Sequence, residues 1–252
     1  MEFVFHPWIN PNTIENRAYQ EKIVRTALTG NTLCVLPTGL GKTNIAALVC
    51  AERLSKDMNK KILFLAPTKP LVEQHRATFK RLFKIGEDEL KVVTGSNKPE
   101  ERYDLYKNAD IVFSTPQTIR NVLKQVKLGL KDFSLLIIDE AHRCVGNYAY
   151  VYIVKRYVQE TEDPLVLALT ASPGSHKYKI DEVSRRLFIK NVEIRTREDS
   201  DVRPYVQNLE QEWIEIELPK EFIQMKNILQ KYKDEKIKKL FEEHIIQRPT
   251  IN

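Results

Sequence analysis

Six short runs of the chain are almost continuously apolar: TLCVLP (32–37), KILFLAP (61–67), KVVTG (91–95), DIVFSTP (110–116), LLIIDE (135–140) and LVLALTA (165–171). Runs of this length and β-branched content are expected of strands covered on both faces. Between them lie helical patterns at roughly 16–29, 42–57, 69–84, 98–108, 117–127, 148–160 and 178–187. Repeated strand–helix alternation predicts a parallel sheet wrapped by helices, with right-handed crossovers set by strand twist. Two later runs, NVEIRTR (191–197) and EWIEIELP (212–219), alternate apolar and polar residues. That pattern predicts strands with one exposed face. From Lys220 the character changes, and KEFIQMKNILQKYKDEKIKKLFEEHI carries apolar residues at helical spacing. A boundary is therefore expected near Pro219, with an α/β domain over 1–219 and an incomplete helical unit over 220–252.

Composition narrows the class. No run of 18 apolar residues occurs, so no membrane span is expected, and MEFVFHPWINPN lacks the pattern of a signal peptide. The expected location is the cytosol or its prokaryotic equivalent, or the nucleus in a eukaryote. Cys34, Cys50 and Cys144 form no CxxC pair, which gives no zinc or disulfide pattern; Cys34 and Cys50 read as small buried residues. The net charge is +6, and the last 33 residues hold eight basic and five acidic side chains, half of that excess. A modest positive charge is compatible with a polyanion partner without establishing one.

The most informative local pattern is PTGLGKT (37–43), placed between the strand TLCVLP and the helical run NIAALVCAERL. It has the layout of a phosphate-binding loop. Gly39 and Gly41 permit tight turns that aim backbone N–H groups inward, and the following helix adds its positive N-terminal end. Lys42 is placed to contact the β- and γ-phosphates, and Thr43 to offer a hydroxyl to Mg²⁺. Leu36 stands where the strict pattern has glycine. Leu36, Pro37, Thr38, Gly39, Leu40, Gly41, Lys42 and Thr43 form the candidate phosphate-binding loop.

The strand LLIIDE ends on two adjacent acids, Asp139 and Glu140. In open α/β sheets ligands sit beyond the carboxyl ends of the strands, so these acids open on the same edge as the glycine loop. Asp139 is then placed to hold Mg²⁺ and Glu140 to deprotonate the attacking water, with Lys42 as the other catalytic group. Taken alone, two acids at a strand end are equally an ordinary solvated terminus.

DEAH (139–142), together with PTGLGKT, APTKPLVEQH (66–75), STPQT (114–118) and LTASPGS (169–175), resembles a superfamily 2 helicase motor. TGLGKT, TKPLVEQH, DEAHRCVGNYAY, LTASPGS and DVRPYV (201–206) are together similar to the archaeal Hef and eukaryotic FANCM branch of DNA fork-remodelling helicases. The resemblance covers essentially the whole chain, and Leu36 suits this branch. It implies a RecA-like P-loop NTPase domain, first of two in the motor, with ATP and Mg²⁺ as cofactors. It also implies that Arg17 and Gln20 in RAYQ read adenine, and that Thr170 and Ser172 couple hydrolysis to domain movement with His142 as partner. Thr68 and Lys69, Thr94 and Gly95, and Thr115, Pro116, Gln117 and Thr118 resemble segments that touch the phosphate backbone of a tracked strand. Each Thr-Pro or Thr-Gly pair, taken alone, is an ordinary turn after a strand.

The expected partners are forked or branched DNA and a second RecA-like domain of the native protein, which in this family carries the arginine finger. The helical tail resembles the start of an insert between the motor domains; read alone, it is an amphipathic helix with a solvated basic face. Two alternatives stay open, a double-stranded-RNA-dependent ATPase of the Dicer and innate-sensor group and a non-catalytic nucleic-acid-binding module.

Overall fold

The computed structural model describes residues 2–125, 129–146, 148–171, 177–206, 212–246 and 248. The chain divides into two compact units, 1–206 and 207–252. The sequence-based boundary at Pro219 falls inside the second unit.

The first unit is built on seven strands: β1 (Thr32–Val35), β2 (Lys61–Leu65), β3 (Leu90–Val93), β4 (Ile111–Ser114), β5 (Phe133–Ile138), β6 (Val166–Thr170) and β7 (Asn191–Ile194). They form one sheet in the order β3-β4-β2-β5-β6-β1-β7, and every strand pair is parallel. Helix α1 (Ala18–Leu28) precedes β1, and α2 (Lys42–Lys56), α3 (Lys69–Leu82), α4 (Pro99–Lys107), α5 (Pro116–Gln125), α6 (Ala149–Glu160) and α7 (Lys177–Arg186) connect successive strands. The α/β architecture is the one expected from the alternating runs.

Strands β1, β4, β5 and β6 are buried along their whole length, so side chains of alternating residues enter a core on each face of the sheet. On one face Phe64 of β2 and Phe113 of β4 pack against Phe79 of α3, with ring centroids 5.2–5.5 Å apart. On the other, Leu136 and Ile138 of β5 pack with Tyr150, Ile153 and Val154 of α6. Burying one such side chain is worth about 1.5–3 kcal/mol, so β5 is anchored from both sides where it delivers its terminal acids. Cys34, Cys50 and Cys144 are buried, and burial pushes the Cys34 thiol up to about 12. Edge strand β7 has one exposed face, as expected, but it is the face of the apolar Val192 and Ile194; the polar Asn191 and Glu193 are half-buried, bonded to Thr26 of α1.

One expected strand is absent. EWIEIELP (212–219) has no regular secondary structure, and Trp213, Ile214 and Ile216 are exposed. Its alternation satisfies a strand pattern, but no neighbouring strand in the described residues supplies the hydrogen-bond ladder a strand requires. Helix α8 (Lys220–Glu242) follows, the helical extension expected there. Only Ile237 is buried on it among the described residues, while Phe222, Ile228, Leu229 and Tyr232 are exposed. No helix among the described residues is long and apolar enough to cross a membrane.

Candidate nucleotide site

The strand order divides the carboxyl edge of the sheet. At the ends of β1, β6 and β5 lie the glycine loop, Thr170 (the last residue of β6) and the Asp139–Glu140 pair; beyond β3, β4 and β2 lie Thr94–Gly95, Thr115–Thr118 and Thr68–Lys69. The predicted nucleotide residues and the predicted backbone-contacting residues therefore occupy adjoining halves of one edge.

The loop after β1 turns on two residues in left-handed conformation, Gly39 (φ 88°) and Gly41 (φ 82°), the second capping α2. A Cβ on Gly41 would lie 2.3 Å from Gln20 Nε2, whereas one on Gly39 would meet nothing within 4 Å. Gly41→Ala should therefore cost about 1–3 kcal/mol of stability, against about 1 kcal/mol for Gly39→Ala, which carries only the backbone term. Thermal denaturation of the two variants checks the difference. Leu36 needs no glycine freedom here. Its side chain is fully buried in the core, and its N–H donates to the Thr170 carbonyl at 3.0 Å, tying the loop to β6.

Lys42 is half-buried, and its Nζ donates to the Leu36 carbonyl at 2.8 Å. Burial lowers the Lys42 pKa from its ordinary value, and the Asp139 and Glu140 carboxylates oppose that fall. A polyphosphate bound there would act in the same direction as those carboxylates. Gln20 is almost fully buried; its Nε2 donates to Tyr19 Oη and to the Leu40 carbonyl, each at 3.1 Å. Its Oε1 is buried without a hydrogen-bond partner in the described structure. An orphaned acceptor of that kind suits a base carrying an exocyclic amine. Gln20 and Arg17 also line a cavity of about 320 Å³ together with Phe3, His6 and Leu48. Pro37 accepts the Leu40 N–H at 3.3 Å within the loop, and Thr38 is exposed.

At the end of β5 the Asp139 N–H donates to the Leu65 carbonyl at 2.8 Å, and its Oδ2 accepts from His75 Nε2 at 2.9 Å. Both side chains are buried, and the His75 ring rests on Phe64 at 4.5 Å. Glu140 follows in the left-handed region (φ 53°, ψ 48°), a conformation that costs a non-glycine residue about 1–2 kcal/mol. The tight turn swings its carboxylate away from the buried line of β5, where Oε2 lies 3.2 Å from His142 Nδ1. His142 Nδ1 is also 3.2 Å from Thr170 Oγ1. One imidazole thus links the acid at the end of β5 to the hydroxyl at the end of β6. Ser172 lies outside the described residues.

For ATP and Mg²⁺ the residues fit: a cationic Lys42, an unpaired amide acceptor in Gln20, and the hydroxyl and carboxylate oxygens of Thr43 and Asp139, the hard donors Mg²⁺ takes.

Two residues escape a reading of the sequence alone. His75 sits on the buried stripe of α3 with Val72, Phe79 and Leu82, so a histidine at core spacing is the available signal. Tyr150, in the GNYAY segment, donates from Oη to the Asp139 carbonyl at 2.9 Å, with Tyr148 packed on it at 5.3 Å. Tyr150→Phe keeps the ring and leaves that buried carbonyl short of a donor. A loss of about 1–3 kcal/mol is expected in a denaturation experiment.

On the other half of the edge, Thr68 and Lys69 are exposed at the start of α3, and Lys69 Nζ donates to Ser96 Oγ at 3.3 Å. Thr94 is buried, with its Oγ1 2.8 Å from Ser96 Oγ, and Gly95 is exposed. Thr115 and Thr118 hydroxyls are 2.9 Å apart; Pro116 is buried, and exposed Gln117 donates to Tyr148 Oη at 3.3 Å.

A glycine loop between β1 and α2, facing two acids at the end of β5, is the architecture of a P-loop nucleoside-triphosphate-binding domain. The chain belongs to the DEAD/DEAH box helicase family, whose sequence profile matches residues 17–180. It is 42% identical over 244 residues to a Methanocaldococcus jannaschii protein named as an ATP-dependent RNA helicase, covering 97% of this chain and 31% of that one. With the Fanconi anemia group M protein homolog of Mus musculus it shares 38% identity over 198 residues, 79% of this chain and 10% of that one. It superposes on the Pyrococcus furiosus Hef helicase domain with a TM-score of 0.78 and 42% identity, covering 97% of this chain and 52% of that domain. Within the family it thus groups with the Hef and FANCM branch, and it spans about half of the solved domain and a third or less of these two relatives.

Proposed function

We propose that this chain is the first, ATP-binding motor domain of an ATP-dependent DNA helicase or translocase that acts on forked or branched DNA in fork repair. One observation carries the reading: the loop lysine, the paired acids and the His142–Thr170 link converge on one half of the sheet edge.

In this reading Arg17 and Gln20 hold the base. The N–H groups of residues 38–43 and the Lys42 ammonium hold the phosphates. Thr43 and Asp139 hold Mg²⁺, which when bound neutralises charge building on the phosphates. His75 fixes one oxygen of Asp139. Glu140 accepts a proton from the attacking water, and His142 relays its state to Thr170 and Ser172. Thr68, Lys69, Thr94, Gly95 and Thr115–Thr118 line the path of the DNA backbone, where the N-termini of α3 and α5 add partial positive charge. A second motor domain of the native protein completes the site from the other side with an arginine.

The double-stranded-RNA reading is tested in the same experiment as the DNA one. Labelled forked DNA bound to the chain is competed with unlabelled fork or duplex RNA across a salt series. The fork is expected to compete better, and binding is expected to weaken steeply with salt, as for contacts made to phosphates. Stronger competition by RNA would overturn the substrate assignment.

A further inference from the structure

The segment that leaves β7 returns to the nucleotide half of the edge at two places. Arg197 Nη2 donates to the Thr38 carbonyl of the glycine loop at 3.0 Å. Farther on, Val202 enters the core and a 3₁₀ turn over Arg203–Tyr205 carries Tyr205 against the RAYQ segment. There the Arg17 guanidinium lies over the Tyr205 ring at 5.2 Å, and the Tyr19 ring is 5.7 Å away. The turn is fastened from behind. Arg195 pairs with Asp201 at 3.0 Å and with Glu193 at 3.1 Å, and Glu193 accepts from Thr26 of α1 at 2.6 Å.

We infer that Tyr205 is a positioning residue that sets Arg17 and Gln20 for discrimination of the base. The inference rests on the reading of Arg17 and Gln20 as the base-contacting pair. The contacts run in sequence. Tyr205 supports both the guanidinium of Arg17 and the ring of Tyr19. Tyr19 Oη accepts from Arg17 Nη1 at 3.3 Å and from Gln20 Nε2 at 3.1 Å, and donates to the Leu40 carbonyl at 2.7 Å. With Nε2 given to Tyr19 and Leu40, the Gln20 amide is held in one orientation and Oε1 is the atom left unpaired. An acceptor fixed in that way takes the amine of adenine and opposes the carbonyl that guanine carries at the same ring position. Glu15 holds Arg17 in plane from the other end, with Oε2 2.9 Å from Nε and 2.8 Å from Nη2. Without the aromatic surface, Tyr19 and Arg17 gain freedom, the amide can turn over, and a turned amide offers a donor that accepts guanine.

The test measures equilibrium binding of ribose-labelled fluorescent ATP and GTP, and of inorganic triphosphate by competition, to the full chain and three variants. Tyr205→Leu should reduce the preference for ATP over GTP by about tenfold, with triphosphate affinity within about twofold of the parent. Tyr205→Phe keeps the ring surface and should restore the preference. Gln20→Ala separates the two layers of the argument. If it leaves the preference intact, the base-reading role of Gln20 itself fails, and the inference falls with it. If Gln20→Ala abolishes the preference and Tyr205→Leu does not, the base-reading assignment stands and the role of Tyr205 is refuted. An equal loss of ATP, GTP and triphosphate binding in Tyr205→Leu would show a merely structural role and also overturn it.

Discussion

Glu140→Gln, introduced into the chain extended through a second motor domain, should lower ATP turnover by about 10²–10⁴, the usual worth of a positioned general base. Nucleotide affinity should stay within about twofold. The reason is local. The amide is the same size as the carboxylate, so the left-handed turn at residue 140 and the approach to His142 at 3.2 Å survive, while the proton acceptor is lost. Single-turnover hydrolysis alongside equilibrium binding separates the two effects. Undiminished turnover would remove Glu140 from the role of base.

Lys42→Ala acts on binding instead. The ammonium is half-buried at the mouth of the loop and donates to the Leu36 carbonyl, a bond that in the proposed reading it would exchange for phosphate oxygens. A charged hydrogen bond of this kind is worth about 1.5–3 kcal/mol, so affinity for ATP should fall about ten- to a hundredfold. The melting temperature should move little, because burial already disfavours the charged amine and its removal relieves that cost. Binding of forked DNA on the other half of the edge should be unchanged. Unaltered ATP affinity would mean that the phosphates sit elsewhere.

Both substitutions fall on residues that the sequence itself singles out, because loop and acid motifs are local: a few neighbouring residues carry the whole geometry. The strands are legible for the same reason, with one systematic error. Their expected ends run one to three residues past the observed ones, as in TLCVLP against Thr32–Val35 and LLIIDE against Phe133–Ile138. The overshoot has a cause. Residues just beyond these strands, such as Leu36 and Asp139, are buried because the site is built there, and burial mimics strand character. EWIEIELP fails in the opposite way, since alternation states a preference and only a neighbour makes a strand.

The order β3-β4-β2-β5-β6-β1-β7 is not legible in the sequence, and with it goes every contact between distant segments. His75 on Asp139, Tyr150 on the Asp139 backbone and Tyr205 on Arg17 join residues 64, 11 and 188 positions apart. Nothing in the local pattern of α3, α6 or the turn after β7 names its partner. Those three contacts share a purpose: each holds in place a group that a local motif supplies.

The most direct test of the central claim is steady-state ATP hydrolysis by the 252-residue chain, with and without forked DNA, beside nucleotide binding. A domain that holds ATP and Mg²⁺ but awaits an arginine from a second motor domain should bind nucleotide while hydrolysing at near-background rates in both conditions. That missing contribution is typically worth about 10³–10⁵ in rate. Failure to bind at millimolar nucleotide would contradict the site, and strong DNA-stimulated turnover would contradict the dependence on a second domain.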